Sequence, residues 1–276
     1  MKHDPRITPW RDGIAARSLE GVIEAEVYLD PKAMSCMAAA TAIRSAADAG
    51  AEQMDQLLFG ERFEVLEEEG AWLFGQAARD GYVGFVEAAA LKPAGPLPTH
   101  RVAAIRTYAF AEPTIKSRAS GPYSINSLVA VEETSGKLAR VAGAGWMAAA
   151  HLAPIGTSDD DWAGVAERFL GAPYLWGGRE SLGLDCSGLV QQALFACGRA
   201  CPRDTDQQQE LGVAIEAADF SRGDLVFWEG HVAIGLGEGM IVHANAHHMA
   251  TAIEPLAEAI ARISAAGLDV VAYRRP

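Results

Sequence analysis

The sequence is short of cysteine, of basic charge and of long apolar runs, and each shortage excludes something. Cys36, Cys186, Cys197 and Cys201 are four cysteines in 276 residues, too few for a disulfide scaffold. Lys and Arg number 23 against 36 Asp and Glu, for a formal charge of −13. Phosphate backbones and anionic membranes call for basic patches, so neither nucleic acid nor a membrane surface is an expected partner. No stretch approaches the roughly 18 apolar residues of a membrane span. The opening MKHDPRITPWRDGIAARSLEG has no apolar core of the length a secretory signal needs, and the expected location is cytoplasmic. What is present is ordinary globular composition, 50% hydrophobic and 21% charged with 28 Gly and 13 Pro. That excludes a disordered, collagen-like or coiled-coil chain. At roughly 100–200 residues per domain, the length suggests two or three domains.

The chain divides by pattern. Residues 1–18 read as a polar arm with Pro5 and Pro9, loosely held. Over 19–92, short runs with Val65, Trp72, Phe74, Tyr82, Val83, Phe85 and Val86 suit a small β-barrel, with Asp80-Gly81 as a tight turn. Within it, Pro31 to Asp55 is Ala-rich without strand alternation and reads as an inserted helix or long loop. Residues 93–98 carry three prolines and read as a linker. Strand-like runs resume over 99–155 as a second small β unit. From 156 to 276 the character changes. Ser158 to Asp161 resembles a helix N-terminus, and Trp162, Val165, Ala166, Phe169 and Leu170 form an apolar stripe closed by Gly171. Leu189, Val190, Ala193, Leu194 and Cys197 make a second stripe after Cys186. Strands are predicted over Asp224–Trp228, His231–Leu236, Met240–Asn245 and Leu268–Tyr273. Helices followed by an antiparallel sheet make this segment α+β.

Asp185-Cys186-Ser187-Gly188 puts a cysteine at the first turn of a helix, where free N–H groups and the dipole favour a thiolate. The alternative is a small buried hydrophobe. A thiol nucleophile needs a base, and the base an orienting partner. Gly237-Glu238-Gly239 fits a three-residue hairpin loop, which pairs residue 233 with 243. His231 and His243 then share a face at a diagonal position, close enough for one imidazole to orient the other. A loop one residue shorter would separate them. His247 and His248 fall in a polar turn and read as surface residues. Cys197 and Cys201 lack zinc-knuckle spacing, so no metal or cofactor is expected.

An ordered series of motifs carries a family resemblance. Pro173-Tyr174-Leu175-Trp176-Gly177-Gly178, Asp185-Cys186-Ser187-Gly188-Leu189-Val190 and Pro202-Arg203-Asp204-Thr205 with Gln207 come first. Arg222-Gly223-Asp224-Leu225-Val226-Phe227, His231-Val232-Ala233-Ile234 and Ile241-Val242-His243-Ala244 follow. Together they resemble the NlpC/P60 family of papain-like cysteine peptidases that cut bacterial cell-wall peptides. The resemblance implies Cys186 as nucleophile, His231 as base, His243 as the third member and Tyr174 near the oxyanion. It implies Asp185 and Ser187 as contacts to the L-Ala and D-Glu of a substrate. The N-terminal segments resemble two bacterial SH3-type barrels. Two such barrels before this domain are similar to murein-recycling γ-D-glutamyl-diamino-acid endopeptidases of the dipeptidyl-peptidase VI type. There a tyrosine of the first barrel helps hold the free amine of L-Ala. Tyr82 is the candidate, with a core tyrosine as the alternative, and an acidic partner would be Glu52, Asp55 or Glu61. Arg179 and Arg203 are candidates for binding substrate carboxylates, or else brace loops. The implied reaction cuts the bond between γ-D-glutamate and the diamino acid (diaminopimelate or Lys) in murein peptides with free N-terminal L-Ala. It releases L-Ala-γ-D-Glu. The rivals are an exported wall D,L-endopeptidase or amidase, and a non-catalytic wall-peptide-binding protein.

Overall fold

The computed structural model describes residues 3–276, and the chain forms two compact units, Met1–Ile155 and Gly156–Pro276. The first is almost entirely β. Its largest sheet orders seven strands as Leu91–Pro93, Lys32–Cys36, Arg62–Glu69, Trp72–Ala77, Val83–Glu87, Ala40–Arg44 and Gln53–Leu58. The Lys32–Cys36, Ala40–Arg44 and Gln53–Leu58 strands overturn the inserted helix or loop expected between Pro31 and Asp55. The alanines there pair across the sheet and let Cys36, Ile43 and Leu57 go fully inside, an instance of tertiary burial overriding weak local propensity. Five- and three-stranded sheets follow between His100 and Pro154, around a core of Val102, Ala109, Val129, Val141 and Met147. Among the described residues no sheet closes on itself, so the expected barrels are open sheets here.

Two other expectations are corrected in this unit. The N-terminal arm is tied down: Ile14–Ala16 pairs with Trp10–Arg11 and, in parallel, with Val27–Leu29. Arg11 lies 4.7 Å over the Phe85 ring and 2.7 Å from Glu69, which holds the segment against the large sheet. Pro93 is not linker but the last residue of an edge strand, opposite Met34. Proline is tolerated there because an edge strand has a side with no ladder bond to donate.

The second unit is α+β. A six-stranded antiparallel sheet runs Val213–Ala214, Val270–Arg275, Leu225–Trp228, His231–Gly237, Met240–Asn245 and Ala250–Pro255. The Leu256–Ala265 helix covers one face, packing on Trp228, Ala233 and Ile241. The Cys186–Ala196 helix contacts the His231 and Met240 strands. The Trp162–Glu167 helix starts at Asp161, whose carboxylate accepts the Gly164 N–H at 3.0 Å. Its stripe buries Trp162, Val165, Ala166 and Phe169, while Leu170 stays exposed before Gly171 turns at φ +80°.

Candidate active site

The Cys186–Ala196 helix begins on a saturated carboxylate. Asp185 is its N-cap and accepts the Gly188 N–H at 2.8 Å and the Gly177 N–H at 2.9 Å. Arg203, 1% exposed, closes on the same group from the other side: Nη1 to Oδ1 at 3.0 Å and Nη2 to Oδ2 at 2.7 Å. Arg203 also donates to Ser187 Oγ at 2.7 Å. Its guanidinium, expected as a candidate for substrate carboxylates, is thus spent on bracing the loop, and Arg179, fully buried, reaches Gln191 Oε1 at 3.5 Å. The helix start packs directly on the loop. A Cβ on Gly188 would lie 2.3 Å from the Gly178 carbonyl oxygen, so only glycine fits.

Cys186 is the first residue of this helix and is 5% exposed. The Ser187 and Val232 backbone N–H groups both favour an anion at its sulfur, and the thiol faces the Gly230 carbonyl at 4.0 Å. It therefore sits against the chain on either side of His231. The thiolate expected from the helix N-terminus does not follow. Burial first, then the Asp185 charge, pushes the thiol up to about 12, outweighing the N–H groups and Arg203. Tyr174, half-buried, is held up in the same direction by burial and by Cys186 and Asp185, so its hydroxyl stays a donor.

The two histidines come together as the loop count requires. Ile234 pairs with Val242, which carries residue 233 opposite His243. The tip differs from a three-residue loop. Gly237 pairs with Met240 across a two-residue turn, Glu238-Gly239 with φ of 51° and 71°, and the extra residue is absorbed as a bulge. His231 Nε2 lies 2.8 Å from His243 Nδ1. Burial lowers His231 to about 3, with His243 and Arg262 adding to the shift. Burial likewise lowers His243 to about 4, against the pull of Glu254. Both rings are neutral at pH 7. Trp228, fully buried, tilts against His231 with ring centroids 5.7 Å apart.

The pair continues into residues that sequence reading missed. His243 Nε2 lies 2.7 Å from Glu254 Oε1. Glu254 is buried, and Arg262 holds both of its oxygens, Nη1 on Oε2 at 2.7 Å and Nη2 on Oε1. Burial alone would raise the Glu254 carboxyl, but the hydrogen bonds of Arg262 and His243 win and hold it at about 2. The signal was a strand after the Asn245 turn: His243 pairs with Ala252, which makes Glu254 its diagonal neighbour. His247 and His248 are exposed, as expected. His243, His248 and Glu254 bring one donor atom each within 4.8 Å of one another. With Arg262 on both carboxylate oxygens, that cluster makes no case for an ion. Cys201 is buried, with its sulfur facing the Pro202 carbonyl and the Gln208 side chain.

In the first unit Tyr82 is 1% exposed in a core with Phe63, Val65 and Val86. Glu61 is buried and paired with Arg79 at 2.8 Å, Asp55 is buried, and Glu52 is exposed.

A family model described as NlpC/P60 family matches residues 171–263, spanning Cys186, His231, His243, Glu254 and Arg262. A second, the bacterial dipeptidyl-peptidase Sh3 domain, matches residues 43–91. A γ-D-glutamyl-L-lysine dipeptidyl-peptidase of Bacillus subtilis is 31% identical over 216 residues, 68% of this chain and 71% of that protein. The chain belongs to the NlpC/P60 family. It is a cysteine peptidase with an N-terminal SH3-like domain. A bifunctional muramidase/DL-endopeptidase of Bacillus subtilis is 36% identical over 107 residues, 34% of this chain and 32% of that protein. A crystal structure of an NlpC/P60 family protein from Bacillus cereus shares the fold at TM-score 0.76 and 20% identity, covering 88% of this chain and 99% of that one. Among the described residues no helix is long and apolar enough to cross a membrane.

A thiol this deeply held makes a distinct prediction for the unliganded peptidase. Iodoacetamide inactivation is expected to be slow at pH 7 and to keep rising with pH beyond 9, because the reactive thiolate forms only as the raised pKa is approached. A rate already on a plateau near neutrality would show a preformed thiolate and contradict this.

Proposed function

We propose that this peptidase hydrolyses the bond between γ-D-glutamate and the following diamino acid in murein peptides with a free N-terminal L-Ala, releasing L-Ala-γ-D-Glu. The observation that carries the reading is the extent of one similarity. The alignment with the Bacillus subtilis γ-D-glutamyl-L-lysine dipeptidyl-peptidase runs over 216 residues, longer than the whole Gly156–Pro276 unit. The Sh3 match over 43–91 belongs to a domain described for dipeptidyl-peptidases. A second reading, a wall D,L-endopeptidase or amidase, draws on the muramidase/DL-endopeptidase, whose 107-residue alignment is shorter than the catalytic unit. A non-catalytic binding role sits poorly with a cysteine and two histidines gathered on one helix end and one sheet.

In this reading the Cys186 sulfur attacks the γ-carbonyl carbon of D-Glu as its proton passes to His231. Because thiol and imidazole both rest neutral, proton transfer accompanies attack rather than preceding it. The Cys186 N–H and the Tyr174 hydroxyl would donate to the oxyanion. The C–N bond then breaks, the departing amine takes the proton from His231, and water directed by His231 cleaves the thioester. Asp185 and Ser187 shape the substrate wall beside the sulfur, and we assign Arg203 to neutralising Asp185. Tyr82, 1% exposed in its own core, takes the core-tyrosine alternative and is not assigned to the free α-amino group. The second SH3-type module over 99–155 and a cytoplasmic recycling role are retained on the family resemblance.

Incubation with L-Ala-γ-D-Glu-L-Lys and its diaminopimelate counterpart, read by mass spectrometry, tests the reading. The expected product is L-Ala-γ-D-Glu, and N-acetylating L-Ala should suppress its release. Cleavage at another bond, or equal rates on the acetylated peptide, would turn the assignment toward the second reading.

A further inference from the structure

The task of the buried carboxylate beyond the histidines is left open by the Cys–His–His scheme. Glu254 meets His243 Nε2 at 2.7 Å and is gripped at both oxygens by Arg262. We propose that Glu254, fixed by Arg262, is a positioning residue that sets the tautomers of both imidazoles and leaves Nδ1 of His231 as the proton acceptor for Cys186. The inference rests on the cysteine-peptidase reading of the site.

The hydrogen-bond inventory of each group fixes the protons in turn. An ionised carboxylate only accepts, so the proton on His243 must be at Nε2. Nδ1 of that neutral ring is then an acceptor. Its partner at 2.8 Å is His231 Nε2, which must therefore donate. A neutral imidazole has one N–H, so the lone pair of His231 lies at Nδ1. Each assignment forces the next, and the sequence of choices begins at Glu254. Arg262 keeps that first group ionised with two charge-assisted bonds, which fix its orientation as well. The same logic gives Asp its place in a Ser-His-Asp triad, where the carboxylate selects the tautomer without taking the proton.

The charges around the pair make the proposal separable from simple packing. The groups facing the two rings are Glu254 from the adjacent strand, Arg262 from the following helix, and His248 and His247 from the turn; the Cys186 sulfur lies against the Gly230 carbonyl, one residue before His231. Glu254 favours the protonated pair and Arg262 opposes it. Removing one or the other should move the acid limb of activity in opposite directions.

The experiment compares kcat and KM as functions of pH for the full chain and its E254Q and R262Q variants on L-Ala-γ-D-Glu-L-Lys. E254Q is expected to lose about 10- to 100-fold in kcat, by analogy with the range for hydrogen-bond partners that orient metal-bound imidazoles, with KM little changed. Its acid limb should shift to lower pH, since the anion that favoured protonation is gone. R262Q should shift the limb to higher pH. A packing defect would move neither limb, or both the same way, and either result overturns the proposal. Proton NMR of the parent chain gives a readout that needs no stable variant: a downfield His243 Nε2–H resonance is expected, and its absence overturns the tautomer assignment. If C186A retained turnover, the cysteine-peptidase reading itself would fall, a separate outcome from any shift of the limbs.

Discussion

Turnover of L-Ala-γ-D-Glu-L-Lys is expected to fall on the order of ten-thousand-fold or more when Cys186 is replaced by Ala, with the fold intact. Removing a nucleophile eliminates the covalent route, and the remaining groups supply only the binding and oxyanion stabilisation that act without it. The local structure can absorb the change. Asp185 caps the helix through its own carboxylate, accepting from Gly188 and Gly177 at 2.8 and 2.9 Å, and Ala is a good residue for the first helical turn. Loss of one small buried group should cost roughly 1 kcal/mol. Product formation by mass spectrometry and a thermal melt on the same sample separate the two effects. Turnover within tenfold of the parent chain would remove Cys186 from the chemistry.

The largest stability effect is expected at Arg203. Its pairing with Asp185 is buried on both sides, with side-chain exposures of 1% and 8%. Breaking such a pair from one end leaves a carboxylate without its countercharge, and R203M should cost about 3–5 kcal/mol. Replacing both partners removes the orphaned charge, so D185N with R203M should regain a large part of the loss, although the cap on Gly188 is weakened. Denaturant unfolding of R203M, D185N and the double variant measures the coupling. A cost under about 1 kcal/mol for R203M would show that water or another cation screens Asp185, as it does for exposed pairs.

The histidine pair was legible because it depends on local arithmetic. The residue count around Glu238-Gly239 sets the pairing of Ile234 with Val242, and a bulge at the tip absorbs the difference between two- and three-residue turns without changing the shared face. The Cys186–Ala196 helix was legible for a similar reason, since Asp185 and Gly188 mark its start within four residues. What stayed hidden depends on distant parts of the chain. Glu254 reaches His243 only once the Ala250–Pro255 strand has paired, and Arg262 only once the next helix has packed. The resting state of Cys186 was misread because a helix N-terminus is visible in sequence while burial is not. The Ala-rich residues after Pro31 were misread because their strands are specified by the core that Cys36, Ile43 and Leu57 enter, not by their own propensity.

The neutrality of the resting sulfur has a consequence outside peptide cleavage. Peroxide and soft electrophiles attack cysteine as its anion, and oxidation to the sulfenic acid follows the fraction ionised and the access to it. A thiol lodged between Gly230 and Val232 and held protonated offers such reagents little. On the proposed mechanism the enzyme thus gains chemical durability between encounters, its reactivity reserved for a carbonyl seated beside His231.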